Sequence, residues 1–317
     1  MKQMSFASAA WDKKGKVTRR ERFLTEMDQV IPWESILSLI EPHYPKAGNG
    51  TQPMPMERML RIYCMQQWFN LSDPGMEDSL YDSESMRRFA QIELIDDAVP
   101  DESTILRFRH LLEQHGLTEK IFALVRGLLE QKRLLLKSGT IVDATIIDAP
   151  PSTKNEAQAR DPEMKQVKKN GREWHFGMKA HVGTDLNGLV HTLVTTHAAA
   201  SEIKQLPQLL HGGERELYGD QAYWSELHRL AAKEHGVRYR VNRRAPNSSK
   251  PLSDYHRRIN RLRSATRARG EHAFHVVKRL WGFTKVRYRG LAKNTARLFT
   301  MFALANLYMV RRRLLAA

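Results

Sequence analysis

Residues 139–148 read GTIVDATIID, and the fold follows from how that run is understood. Ile, Val and Thr dominate it, and β-branched side chains favour a strand buried on a pleated surface. One carboxylate, Asp143, interrupts the apolar run, and Asp148 ends it. Downstream, EWHFGMKAHVGT (173–184) and GLVHTLVTTHA (188–198) are strand-like, separated by Asp185, Leu186, Asn187 and Gly188. The Asn-Gly pair there predicts a hairpin. SEIKQLPQLL (201–210) then reads as a helix, ERELYGD (214–220) as a strand, AYWSELHRLAAKEHG (222–236) as a helix and VRYRVN (237–242) as a strand. An exposed connection, 243–258, leads to a last helix of this region, which carries Glu271 in RARGEHAFHVVKRLWG (267–282). The order predicts an α/β fold: a mixed sheet, three strands of it meandering, flanked by helices.

Upstream of Gly139 the pattern is helical. Residues 1–50 read as a basic arm with one helix, about 34–40, ending at Pro42, and YPKAGNGTQPMP (44–55) reads as a linker. Helices are expected over 56–69, from Pro74 to about Tyr81 behind Ser72 or Asp73, and over 103–115 behind Asp101 or Ser103. The apolar face of the 103–115 helix is Leu106, Phe108, Leu111 and Leu112, and Gly116 ends it; a further helix spans Glu119 to about Leu136. The expected organisation is therefore an arm (1–50), an all-helical domain (51–138), a sheet domain (139–290) and a basic C-terminal helix (291–317).

Charge is unevenly placed. The 317-residue chain has a net charge of +16, yet Arg238 to Ala317 alone holds 21 Lys and Arg against two acids, Asp254 and Glu271. The remaining 237 residues hold 30 basic and 33 acidic groups. A basic third on a near-neutral remainder points to a polyanion, nucleic acid first and a membrane surface second. The membrane reading is weakened because the basic residues are scattered through strands and loops as well as helices. The single cysteine, Cys64, rules out an internal disulfide and suits a reducing cytosol. No apolar stretch predicts a signal peptide or an easy membrane span, so a soluble cytoplasmic protein is expected.

Three acids in distinct settings carry the chemistry. Asp143 and Asp220 lie at or near the ends of buried strands, and Glu271 lies on a helix with Arg267 four residues before it and Lys278 seven after it. At about 100° per residue those three side chains share nearly one helical face. Converging carboxylates hold hard cations such as Mg²⁺. Two ions about 3.5–4 Å apart activate an attacking oxygen and stabilise a leaving one in phosphodiester chemistry. Taken singly, each acid reads first as a cap or half of an ion pair, and the metal reading rests on all three together.

These residues identify the chain as resembling bacterial insertion-sequence transposases of the DDE type, nearest to the insertion-sequence-five family, from about Met54 to the C-terminus. The resemblance is carried by ERMLRIYCMQQWFNLSDPGMEDSLYD (57–82), VPDESTILRFRHLL (99–112), GTIVDAT (139–145), HFGMKAHVGTD (175–185) and YGDQAYW (218–224). The family's signature of Tyr, two residues, Arg, three, Glu, six, Lys is similar to Ser264, Arg267, Glu271 and Lys278, with Ser264 departing at the tyrosine position. Spacings of 77 residues from Asp143 to Asp220 and 51 from Asp220 to Glu271 leave little room for a large insertion.

The resemblance implies a ribonuclease-H-like core in which Asp143, Asp220 and Glu271 are catalytic and bind two Mg²⁺ ions, with Mn²⁺ as a substitute. It implies 3′-end cleavage at terminal inverted repeats, strand transfer into double-stranded target DNA, and a homo-oligomer on nucleoid DNA. Arg267 and Lys278 are expected beside the scissile phosphate, with helical pairing to Glu271 as the alternative. Arg107 and Arg109, with His110, are expected to reach DNA from the 103–115 helix, against the alternative of a plain solvated face. Asp148 is expected on the strand face opposite Asp143. His175, His181 and His191 match no zinc spacing. Asp185 reads as a turn residue, and Trp174 and Trp224 as packed aromatics, with base stacking the alternative. A metal-dependent nuclease without strand transfer and a non-catalytic DNA-binding regulator remain as other functions.

Overall fold

The structure, a computed structural model, describes residues 11, 13–49, 52–154, 158–169, 173–245 and 251–316. Parts of the expected arm (1–10, 12 and 50), of the expected linker (50–51) and of the exposed connection (246–250) lie outside the described residues. The chain divides into two units. One is Met1–Val125 with Ala303–Ala317, and the other is Arg126–Phe302.

The first unit is helical. Helix α1 (Arg19–Val30) starts at a capping box in which Thr18 accepts the Glu21 amide and Glu21 reaches back. The sequence reading expected one helix in the arm, and the Thr-x-x-Glu spacing of residues 18–21 is the signal it passed over. Then come α2 (Trp33–Ile40), α3 (Met56–Phe69), α4 (Asp73–Asp82, capped by Ser72), the unanticipated α5 (Glu84–Phe89) and α6 (Glu102–Gln114, capped by Asp101). The residues of α7 (Leu117–Gln131) up to Val125 and those of α12 (Leu291–Leu315) from Ala303 belong to this unit, and the rest of each helix belongs to the second. Met27, Ile40, Leu60, Met65 and Leu80 are buried in this unit, and Phe23 packs edge-on against Trp68 at 5.1 Å.

The second unit holds a six-stranded mixed sheet: β1 (Gly139–Asp148), β2 (Lys165–Lys169), β3 (Glu173–Thr184), β4 (Val190–His197), β5 (Glu216–Gly219) and β6 (Arg238–Val241). The path runs β2-β3-β1-β5-β6, with β4 also paired to β3. β3 is antiparallel to β1, β2 and β4, whereas β1, β5 and β6 run parallel. That is a ribonuclease-H-like sheet with helices against it. The β3–β4 hairpin forms where Asn-Gly predicted it, with Gly188 at φ +89°. β2 was not anticipated, because KQVKK has one apolar residue and becomes a strand only by pairing with β3.

Val142, Leu206, Leu209, Leu217, Tyr223 and Val241 form a buried cluster on one sheet face, reached by α8 (Leu206–Leu209) and bordered by α9 (Glu226–Glu234). The other face carries the helix after the exposed connection. It begins as α10 (Asp254–Arg267), tightens into a 3₁₀ turn at Ala268–Gly270, resumes as α11 (Glu271–Phe274) and loosens into a π-helical turn over His275–Leu280. A 3₁₀ turn over-rotates the side chains and a π turn under-rotates them. The two deviations oppose one another, so Arg267 and Lys278 both still face β1.

Candidate catalytic site

Strand register brings the first two acids together. β1 and β5 pair in parallel as Gly139 with Glu216, Thr140 with Leu217 and Ile141 with Tyr218. Two residues further along, Asp143 and Asp220 stand level on adjacent strands and on the same face. Asp220 leaves β5 and accepts the Ala222 amide at 2.8 Å, which caps the 3₁₀ turn Gln221–Tyr223. Asp143 accepts the Ala144 amide at 2.9 Å.

The helix supplies the third acid because Gly270 lets it sit close on the sheet. A Cβ at Gly270 would meet the Ile141 Cγ2 at 2.9 Å. The next residue is Glu271. Arg267, one turn earlier, holds Asp143 Oδ2 at 3.3 Å through one guanidinium nitrogen and Glu271 Oε1 at 3.2 Å through the other. Arg267 is thus more than a helical partner of Glu271: it bridges two of the three acids.

Burial pushes the Asp143 carboxyl up to about 6, Arg267 and the Ala144 amide oppose the rise, and the negative charges of Asp220 and Glu271 add to it. The three acids therefore lie in one electrostatic neighbourhood. Among the described residues, no three His, Cys, Asp or Glu side chains are grouped closely enough to hold a metal ion as placed. Glu271 keeps 55% of its side-chain exposure and turns toward Arg267. The donor chemistry nevertheless suits a hard divalent cation. The oxygens are all carboxylate, and two acids raise the proton affinity of a third, a repulsion that a cation relieves as well as a proton does.

Lys278 lies farther along the same face of β1. Its ammonium donates to the Thr145 hydroxyl at 3.1 Å and to the Ile146 carbonyl at 2.9 Å, and burial lowers its proton affinity. Ser264 accepts a hydrogen bond from the Asn242 amide at 2.9 Å, which ties α10 to the end of β6. The residue spacing made the shared face legible, but not that Lys278 docks on the strand that bears Asp143.

Other singled-out residues fall elsewhere. Asp148 faces away from Asp143 and pairs with His175 at 2.8 Å. His181 bonds the Thr196 hydroxyl and His191 the Thr140 hydroxyl, and burial takes both imidazoles down to about 4. Asp185 is a turn residue, but a fully buried one that accepts the amides of Leu136, Asn187 and Leu189. Trp224 packs against the buried cluster and Tyr239. Trp174 corrects the expectation of packing, since it is 62% exposed. Arg109 also requires correction: it is buried, paired with Asp73 at 3.2 Å and Glu113 at 3.0 Å, while Arg107 and His110 remain exposed on the same helix. Ile105, which lies one turn before Arg109, fills the core position that the sequence reading left out.

Comparison with known families gives two matches. Residues 135–307, more than half of the chain, match the transposase DDE domain. Residues 12–111 match a second transposase domain, DUF772.

Proposed function

The chain belongs to the DDE transposase family, and from that premise we propose that it mobilises an insertion sequence of the insertion-sequence-five kind. Members of the family act on DNA with nuclease and transesterase chemistry, and the family uses divalent metal ions. In this reading Asp143, Asp220 and Glu271 are the catalytic acids and would hold two Mg²⁺ ions, with Mn²⁺ able to substitute. When bound, the ions polarise the phosphodiester and stabilise charge on the attacking and leaving oxygens.

The chain's own residues then have defined tasks. Arg267, placed between Asp143 and Glu271, offsets their mutual repulsion while no cation is bound. Lys278, anchored on Thr145 and Ile146, presents its remaining N–H toward a phosphate beside β1. The first step is hydrolysis at a terminal inverted repeat, which breaks the bond to the 3′ oxygen and leaves a 3′-hydroxyl. In the second, that hydroxyl attacks a phosphodiester of target DNA; one P–O bond forms as another breaks, and no external energy source is needed.

The further assignments go with this reading. Residues 51–138 bind element ends and serve oligomerisation, residues 139–290 catalyse, and residues 1–50 and 291–317 are a basic arm and a basic helix. Arg107 contacts end DNA. The protein works as a homo-oligomer on the nucleoid, in the cytoplasm. Among the described residues no helix is long and apolar enough to cross a membrane.

The observation that carries the proposal is the approach of Asp143, midway along β1, Asp220, just past the end of β5, and Glu271, with Arg267 bridging two of them. It is tested with labelled duplex taken from the DNA flanking the reading frame, in Mg²⁺, comparing wild type with Glu271→Gln. Joined product from wild type alone is the expected result. Hydrolysis without joining would make the protein a nuclease, and binding without chemistry in any metal would make it a regulator.

A further inference from the structure

Strands β2 and β3 continue past the sheet as a two-stranded ribbon. β1 ends at Asp148 opposite Gly177, whereas β3 extends back to Glu173 and pairs there only with β2 among the described strands. Lys165, Lys168, Lys169, Glu173 and Trp174 are all exposed on it. Its root is fixed: His175 bonds Asp148, the Ala149 amide donates to the Phe176 carbonyl at 2.6 Å, and a Cβ at Gly177 would collide with the Ile147 carbonyl at 2.1 Å.

Alternation of side chains assigns the faces. Asp143 pairs with Val182, and eight residues along β3 from Val182 is Trp174. An even offset keeps Trp174 on the face of Asp143, and its register partner Lys168 shares that face, with its ammonium 5.7 Å from the indole. Lys165, Lys169 and His175 point to the other face. Eight residues at about 3.3 Å each place Trp174 about 26 Å along β3 from Val182, the register partner of Asp143. At about 3.4 Å per base pair that is roughly eight pairs of duplex.

We propose, resting on the reading of the chain as a transposase, that this ribbon enters a groove of the duplex leading away from the scissile phosphate. Trp174 lies against the bases, and Lys165, Lys168 and Lys169 neutralise phosphates of the two strands that wall the groove. A major groove admits a two-stranded β-ribbon. Lysines on both faces suit an element with a phosphate backbone on either side, and one lying flat on DNA would need them on one face only. Lysines on an edge strand also deter edge-to-edge pairing. That role accounts for the three cations but leaves the large exposed indole beside them without a use.

The test uses the full chain without divalent cation, so that no chemistry intervenes, and a labelled 40-base-pair duplex from the DNA flanking the reading frame. Affinity is measured against salt for wild type, the triple variant Lys165→Ala, Lys168→Ala, Lys169→Ala, and the single variants Trp174→Ala and Trp174→Phe. The triple variant is expected to reduce the slope of log affinity on log salt by about 2–3. Trp174→Ala is expected to weaken binding about 5- to 100-fold, with Trp174→Phe recovering most of the loss. Single abasic sites about eight pairs from the cleaved phosphate should weaken wild type and not Trp174→Ala. Thermal unfolding should be unchanged throughout, as the substituted side chains are exposed. Unchanged affinity and slope in these variants would overturn the proposal, as would a wild type that binds no duplex. Aggregation of the triple variant at unchanged affinity would leave the lysines as edge protection. A wild type that binds but does not cut would sink the catalytic reading while leaving the ribbon result intact.

Discussion

Arg267 stands 3.3 Å from Asp143, across 124 residues of sequence, and uses its second guanidinium nitrogen to hold Glu271. Its charge opposes the burial that raises the Asp143 carboxyl to about 6. In Arg267→Ala that opposition is lost, so the acid limb of the cleavage profile should move to higher pH. Arg267→Lys should recover part of the shift, because an ammonium keeps the charge but lacks the planar fork. Rate–pH profiles of the three proteins check this, and coincident limbs would refute the bridging role.

Under the proposed function, activity of the wild type should itself fall as pH drops through about 6, since the carboxylate form of Asp143 is the one that would hold a cation. More divalent cation should push the limb to lower pH, because cation and proton compete for the same oxygens. A limb insensitive to cation concentration would mean that another group titrates.

Replacing Asp143 separates stability from activity. With its folded value raised from 3.8 to about 6, the cost of ionising Asp143 in the fold is fully present above about pH 6 and disappears as pH falls toward the unfolded value. Asp143→Asn should therefore stabilise the cation-free protein near pH 8, by up to about 3 kcal/mol. The gain is smaller to the extent that the Arg267 contact is weakened. Cleavage should drop at least about a hundredfold in this variant, in Asp220→Asn and in Glu271→Gln, with DNA binding retained. Denaturant melts at pH 8 and pH 4.5 together with single-turnover cleavage give both readings.

Gly270→Ala should cost about 1–3 kcal/mol, because its methyl would press on the buried Ile141 and lift the helix from the sheet. Cleavage should fall with it, since Glu271 is the next residue. A variant with wild-type unfolding temperature and full activity would show that the close approach is not needed.

Arg109 and Arg107 should part company. Arg109→Ala takes the buried guanidinium from Asp73, which keeps the Gln66 amide, and from Glu113, and should destabilise the helical unit by up to about 3–5 kcal/mol. Arg107→Ala should leave unfolding unchanged and weaken DNA binding, with a salt slope reduced by about one. Melting curves and salt titrations of the two proteins decide between these outcomes.

Much of this was legible in the residues themselves. β-Branched runs at 139–148, an Asn-Gly hairpin, capping residues Ser72 and Asp101 and the helical spacing of Arg267, Glu271 and Lys278 are local signals, set by backbone sterics and periodicity. They carried the α/β order and most helices, and they singled out the three acids that the proposed function uses. The strand β2 and the exposure of Trp174 were not legible. KQVKK is a strand only because β3 pairs with it, and an indole on a protruding ribbon has the same sequence context as one in a core. Arg109 sits at a position that reads as polar surface, and only the approach of Asp73 and Glu113 makes it an inside residue.

The sequence alone singled out the carboxylates proposed for the chemistry and the strands and helix that bear them. Tertiary structure alone decided that β1 and β5 lie side by side in parallel register, that Gly270 sets the helix against Ile141, and that Arg267 rather than a distant charge compensates Asp143. The physical reason is range. Propensity, capping and turn chemistry act over a few residues of chain, whereas burial and the field of Asp220, Glu271 and Arg267 at Asp143 depend on distances through space that only the packed sheet and helix fix.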